Sequence, residues 1–250
     1  MPHFFIKSEN VKNGIAKVCD EENYKHIAKS LRARGGEKLL LIDENQIQYE
    51  TIIEQITSKE ISAKIEKSYK SERNLDFELY LAQSPLRSDD QSELIEKSTE
   101  LGVKAVYPVL SDNCALNKSV VEKKISKWQK IMYEASKQCE RAIVPTCEEA
   151  VAKFDDLILS NTKFDKIIAF CERRTKVTLR EYCEKSPFKK DEKILVIIGP
   201  EGGFSDREFR LFEEKSIPML TLGELILKAD TAATVALGNI IYEYSNYCKN

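Results

Sequence analysis

Long apolar runs are absent from this 250-residue chain. A membrane-spanning helix needs about 18 or more consecutive apolar residues, and no run here approaches that length, so no helical span and no membrane partner are expected. The opening Met1-Pro2-His3-Phe4-Phe5-Ile6-Lys7 is too short for the apolar core of a secretory leader, which points to a cytoplasmic protein. Histidine is scarce: only His3 and His26 occur. The seven cysteines are odd in number, scattered from Cys19 to Cys248 and free of any C-x-x-C pair. Neither a disulfide framework nor a metal site is expected.

A strong net charge is also missing. The formal value is -2, with 32% charged and 42% apolar residues, a composition far from that of disordered chains. At this length a folded chain buries about 70% or more of its unfolded surface, in one large domain or two small ones. The near-zero sum hides two basic stretches. Residues 25–38 hold Lys25, Lys29, Arg32, Arg34 and Lys38 against Glu37 alone, and residues 118–141 hold seven cations against Glu122, Glu134 and Glu140. Each stretch reads either as a solvated helix face or as a phosphate-binding surface.

Two regimes follow one another along the chain. Residues 1–72 carry short strand-like runs, among them Phe4-Phe5-Ile6, Leu39-Leu40-Leu41-Ile42 and Gln48-Tyr49-Glu50-Thr51-Ile52-Ile53, interrupted by one helix near residues 22–32. Several short strands with one helix suggest a small β-barrel. Residues 67–74 are polar and patternless and read as a linker. From residue 73 to 250, strands near 77–82, 105–109, 166–170 and 194–198 alternate with helices near 90–101, 121–140 and 177–184, the rhythm of a parallel α/β sheet. Ile194-Leu195-Val196-Ile197-Ile198 is apolar throughout, as a strand buried on both faces must be. Ser205 and Glu208 form a capping box that starts a helix just after the glycines. A last helix is expected from Asp230 or Thr231.

Chemistry is concentrated in Gly199-Pro200-Glu201-Gly202-Gly203, directly after that strand, and in Leu222-Gly223 through Thr231-Ala232. A glycine loop between strand and helix often binds phosphate. Here no lysine completes a phosphate loop, the spacing is not G-x-G-x-x-G, and Glu201 would repel an anion. A flat ligand that is polar at its edges and positively charged at its centre, such as S-adenosylmethionine, suits the two segments better; a plain tight turn is the other reading.

Together the segments resemble the RsmE family of 16S ribosomal RNA uracil-N3 methyltransferases, of the SPOUT superfamily. Further matches are Met1-Pro2-His3-Phe4-Phe5, the segment from His26 to Arg32 with Gly36-Glu37, Glu96 through Val103 with Tyr107-Pro108, and Glu134 through Arg141 with Val144-Pro145. The resemblance implies a PUA-like RNA-binding barrel over residues 1–72. It also implies a trefoil-knotted methyltransferase domain over 73–250, a homodimer, and ribosomal RNA or the small ribosomal subunit as partner. It implies S-adenosylmethionine held by Phe170, by Gly199, Pro200, Glu201, Gly202 and Gly203, by Leu222, Gly223 and Leu227, and by Thr231 and Ala232. Candidate RNA contacts are His26, Lys29, Arg32 and Arg34 in the first domain, and Lys137, Gln138 and Arg141 in the second.

A uracil N3 carries a weakly acidic proton and is hidden in base pairs, so the base must be unpaired, deprotonated and aligned with the methyl donor. Lys228 could stabilise the uracil anion or contact a phosphate, and Asp230 or Glu201 could accept the proton, although Asp230 reads first as a helix cap. Where the family usually reads Arg-Ile-Leu-Arg-x-Glu-Thr-Ala, this chain has Leu225-Ile226-Leu227-Lys228-Ala229-Asp230-Thr231-Ala232. Leu225 forfeits a cation and Lys228 forfeits a bidentate fork, which keeps a catalytically silent RNA-binding homologue as the alternative.

Overall fold

The computed structural model describes residues 3–71, 73–159, 163–172 and 174–248. Met1, Pro2 and Glu72, which entered the sequence reading, lie outside the described residues. Two compact units result, Met1–Asn74 with Ser136–Ile143, and Leu75–Ala135 with Val144–Asn250. Among the described residues no helix is long and apolar enough to cross a membrane.

The first unit is a six-stranded sheet built from β1 (His3–Phe5), β2 (Val11–Lys12), β3 (Ile15–Val18), β4 (Lys38–Ile42), β5 (Ile47–Ile56) and β6 (Ile61–Lys70). The order is β1-β4-β5-β6-β3-β2, with β1 parallel to β4 and the other pairs antiparallel. One helix, α1 (Glu21–Tyr24), starts on Asp20, whose carboxylate accepts the Asn23 N–H, and continues into a wider π turn over Lys25–Ser30. Phe4, Val18, Ile27, Leu39, Leu41, Ile53 and Ile61 fill the core between helix and sheet.

Residues 67–70, read from the sequence as part of a linker, belong instead to β6. They pair with β5 as Glu50↔Lys67 and Gln48↔Tyr69, beyond a register shift at Glu50/Thr51. Both faces of this strand end are exposed, so no apolar alternation marks it and cross-strand polar pairs hold it. Residues 136–143 join this unit: Glu140 takes a left-handed φ of 57° and its carboxylate pairs with Arg73.

The second unit alternates strand and helix. β7 (Glu78–Gln83), α2 (Ser88–Glu100), β8 (Ala105–Pro108), α3 (Lys118–Gln138), β9 (Thr146–Cys147) and α4 (Phe154–Leu159) form its first half. β10 (Lys166–Phe170), α5 (Leu179–Lys185), β11 (Lys193–Ile198), α6 (Asp206–Glu214), β12 (Met219–Leu220) and α7 (Ala229–Cys248) form the second. All six strands are parallel, in the order β12-β10-β11-β7-β8-β9.

The apolar β11 is buried on both faces because its side chains alternate. Ile194, Val196 and Ile198 pack into a core with Leu94 of α2, Leu179 of α5 and Leu237 of α7. Leu195 and Ile197 point the other way, into a core with Phe154 of α4 and Phe212 of α6. This two-sided cover is what a parallel sheet requires. From β7 the chain moves outward through β8 and β9, then returns to lay β10 and β11 on β7's other side. The strand order therefore reverses beside β7 and β11, and such a reversal opens a crevice at the carboxyl ends of the strands.

Candidate cofactor site

That crevice holds a cavity of about 630 Å³. Four segments that leave the carboxyl ends of β7, β10, β11 and β12 wall it. Leu86 and Asp90 come from the first, Phe170, Glu172 and Arg174 from the second, the stretch from Ile198 to Phe204 from the third, and Ile226 through Asp230 with Ala232 from the fourth. Phe209 of α6 closes one side. A smaller adjoining cavity is bounded by Cys171, Thr221, Leu222, Gly223 and Leu225, and it shares Phe170, Glu172, Leu227 and Ala232 with the first.

The structure thus brings Phe170, Gly199, Pro200, Glu201, Gly202, Gly203, Leu222, Gly223, Leu227 and Ala232 around one pair of adjoining cavities. The catalytic candidates Lys228, Asp230 and Glu201 line the larger one. Thr231 lines neither and is exposed on the first turn of α7. That helix begins at Ala229, so Asp230 stands inside its first turn and not before it.

The glycine loop is held from several directions. Gly203 N–H donates to the Pro200 carbonyl at 2.9 Å, closing a tight turn, and Gly203 itself takes φ +69°, the left-handed region where a Cβ is penalised. Gly202 is closely approached: a Cβ there would come within 3.2 Å of the Asn113 Cβ, which would have to give by a few tenths of an ångström. The capping box forms as the sequence suggested. Ser205 Oγ accepts the Glu208 N–H at 3.2 Å, and Glu208 Oε2 accepts the Ser205 N–H at 2.8 Å.

Glu208 is fully buried and its second oxygen accepts the Asp112 N–H at 3.0 Å. Burial pushes its carboxyl above the usual carboxylate range. Asp112 behaves oppositely. Arg207 donates to it twice at 2.9 Å and Ser205 Oγ–H once at 2.6 Å, and these bonds hold its carboxyl low. Arg207 also reaches Asp155 at 2.7 Å.

Glu201 is committed on one side. Its Oε1 accepts the Arg87 N–H at 3.2 Å at the start of α2, where a carboxylate satisfies an orphan donor and meets the positive end of the helix dipole. Arg174 lies over the Phe209 ring, 4.5 Å from its centroid, and pairs with Asp206. Beside it Cys171 is buried and its thiol is pushed up to about 12, so the cavity wall carries no thiolate. Asp90, Glu172, Arg174 and Phe209 were not signalled by motif; only their places after strands β7, β10 and β11 could have flagged them.

The remaining candidates lie in the first unit. Lys29, Arg32 and Arg34 are exposed, whereas His26 is half-buried with its ring edge-on to Phe4, centroids 5.3 Å apart. Lys137 is buried with its ammonium 5.7 Å from the Phe4 ring centroid. Gln138 is exposed, and Arg141 is half-buried, its guanidinium lowered to about 10 by burial.

Known proteins share this arrangement. Residues 73–241 match the RNA methyltransferase domain family and residues 19–66 match the RNA methyltransferase PUA domain. A PUA domain followed by a parallel-sheet domain of the first kind defines the class as PUA-domain RNA methyltransferases.

Within the class the similarity extends over nearly the whole chain. Ribosomal RNA small subunit methyltransferase E of Buchnera aphidicola subsp. Acyrthosiphon pisum is 30% identical over 95% of this chain and 91% of its own. The protein of the same name from Bacillus subtilis is 26% identical over 97% of each chain. A ribosomal RNA small subunit methyltransferase E from Neisseria gonorrhoeae, solved bound to S-adenosyl methionine, superimposes with a TM-score of 0.80 at 25% identity, covering 96% of both chains. A putative methyltransferase from Legionella pneumophila, solved with bound SAM, gives 0.82 at 25% identity over 98% of this chain and 97% of its own. The chain belongs to the ribosomal RNA small subunit methyltransferase E family.

Proposed function

We propose that the protein transfers a methyl group from S-adenosylmethionine to N3 of a uridine in small-subunit, 16S, ribosomal RNA. One observation carries the reading: the glycine loop, the loop after β10 and the segment leading into α7 converge on one cavity whose lining fits this cofactor. Its volume, about 630 Å³, lies inside the range of about 300–1,000 Å³ common for small-molecule sites. Leu86, Phe170, Ile198 and Leu227 offer apolar walls to a purine. Four carboxylates, Asp90, Glu172, Glu201 and Asp230, face two cations, Arg174 and Lys228, a balance that suits a sulfonium and an ammonium and disfavours a polyphosphate.

When bound, the cofactor supplies an electrophilic methyl group on a positively charged sulfur. The protein's own residues supply position and charge. Lys228 on the cavity wall stabilises the negative charge that develops on the pyrimidine as N3 loses its proton. Asp230 is the better placed acceptor for that proton, because Glu201 already binds the Arg87 N–H. Lys29, Arg32 and Arg34, with His26, Gln138 and Arg141 in the same unit, form the surface that holds RNA backbone in register, whereas Lys137 is buried against Phe4 and does not belong to it.

The finer architecture follows the same reading. The protein acts in the cytoplasm as a homodimer, supported by apolar side chains left in water beside the cavity: Leu225 is 80% and Ile226 55% exposed. A trefoil knot is supported by the return of β12 onto β10 and by the Thr221 N–H bond to the Val177 carbonyl, which draw the last segment back across the loop after β10. Deleting the gene and measuring modified nucleosides of 16S ribosomal RNA by mass spectrometry tests the function: 3-methyluridine is expected to disappear, and undiminished 3-methyluridine refutes it. Calorimetry with S-adenosylmethionine separates an active enzyme from a silent RNA-binding homologue, which would give no cofactor heat.

A further inference from the structure

The loop after β8 is bonded to the glycine loop across about ninety residues of sequence. Asn113 Nδ2 donates to the Gly203 carbonyl at 3.0 Å and to the Gly202 carbonyl at 3.4 Å. Its neighbour Asp112 is gripped by both nitrogens of the Arg207 fork and by Ser205 Oγ–H, and its own N–H is accepted by the buried Glu208. Asn113 does not line the cavity. The two carbonyls it binds are therefore held on the side of the loop away from the ligand.

We propose that Asn113 is a positioning residue for the cofactor, and that Gly202 is a glycine to let Asn113 approach rather than to let the cofactor approach. The distances favour this order. A Cβ on Gly202 meets the Asn113 Cβ at 3.2 Å, tighter than ordinary packing, and the Asn113 carbonyl oxygen at an ordinary contact distance of 3.5 Å. Both bonds run from one amide to two successive carbonyls, so they fix the peptide planes on either side of Gly203, the residue with positive φ. Without the amide, the first of these planes keeps the Gly203 N–H bond to the Pro200 carbonyl alone, and the loop explores turns that misplace its cavity-facing atoms. An Asn113→Asp change reverses the interaction: a carboxylate, acceptor only, then faces two carbonyl acceptors. The clamp on Asp112 makes the device stiff, since Asn113 cannot drift from the carbonyls without breaking a bidentate ion pair.

The inference rests on the cofactor reading above, and the test separates the two. S-adenosylmethionine affinity is measured by calorimetry on the full chain, and hydrogen exchange of residues 199–205 is followed by mass spectrometry without ligand. In N113D the dissociation constant is expected to rise about tenfold and the 199–205 amides to exchange faster, with RNA affinity and protection of β7 and β11 unchanged. Unchanged exchange at 199–205 overturns the proposal, as does loss of protection throughout β7 and β11, which would make Asn113 a general fold residue. If the wild-type protein gives no heat with S-adenosylmethionine, the cofactor reading fails, and the exchange measurement still decides the brace. A double-mutant cycle tests the glycine. G202A is expected to weaken cofactor binding in the wild-type background and to add nothing in N113G; an equal loss in both backgrounds assigns Gly202 to direct contact and overturns that half.

Discussion

Protonating His3 should destabilise the first unit by an amount the structure sets. His3 on β1 is 4% exposed, and among the described residues neither ring nitrogen has a hydrogen-bond partner. Burial, reinforced by the Arg73 charge, lowers its pKa from 6.5 to about 4. Because the folded value lies below the unfolded one, the unfolded chain takes up the proton first as pH falls. At pH 7 the folded imidazole is neutral and the unfolded one only about a quarter protonated, so little of the loss has begun. Between pH 6.5 and about 4 stability falls, and the loss is complete once both states are protonated. A fall from 6.5 to about 4, at about 1.36 kcal/mol for each tenfold change in proton affinity, amounts to roughly 3 kcal/mol.

The lone Trp128 lies in the second unit, so tryptophan fluorescence is blind to this event. Hydrogen exchange of β5 and β6, converted to local opening free energies at pH 7 and pH 4.5, reads the first unit directly. Carboxylates also titrate in that window, so the comparison is with His3→Leu, in which the steep fall is absent and stability at pH 7 is equal or higher, since two buried polar atoms lacking partners are removed. With only two histidines, a His26→Asn background leaves a single imidazole signal in proton NMR. A midpoint near 6.5, or parallel pH dependence in wild type and H3L, refutes the reasoning.

Three further outcomes are expected. Glu208→Ala removes acceptors from the Ser205 and Asp112 N–H groups in a fully buried place; a loss of about 2–5 kcal/mol in denaturant unfolding is expected, whereas a loss under 1 kcal/mol contradicts the role. Gly203→Ala forces a Cβ into φ +69° and should cost about 1–2 kcal/mol, with weakened S-adenosylmethionine binding; unchanged stability would mean the loop adopts another turn. Lys228→Ala should lower kcat on ribosomal RNA about 100-fold with cofactor affinity within a factor of about two, and K228R should recover most of the rate; equal loss of cofactor binding would move Lys228 from the reaction to the cofactor.

Legibility in the sequence followed the range of the interaction. The strand at 194–198 was readable because burial on both faces leaves nothing polar in it, and observation places β11 at Lys193–Ile198. The helix after the glycines was readable because a capping box closes within four residues. Elements held by distant partners left weaker marks. The end of β6 is polar on both faces and exists through its register with β5, and β9 is two residues that pair with β8 some forty positions away.

The cavity divides along the same line. Its glycines stood out because backbone geometry restricts them locally, but the reason for Gly202 lies at Asn113, and the reason for Glu208 being buried lies at Asp112. Composition cannot reveal such pairs, because an exposed-looking Ser-Asp-Asn run is also what an ordinary loop contains. Glu201 shows the opposite error. Its charge was the argument against phosphate, yet part of its carboxylate is spent on the Arg87 N–H. Glu201 thus also fastens the glycine loop to the start of α2, so its substitution by Gln would test fastening and electrostatics together.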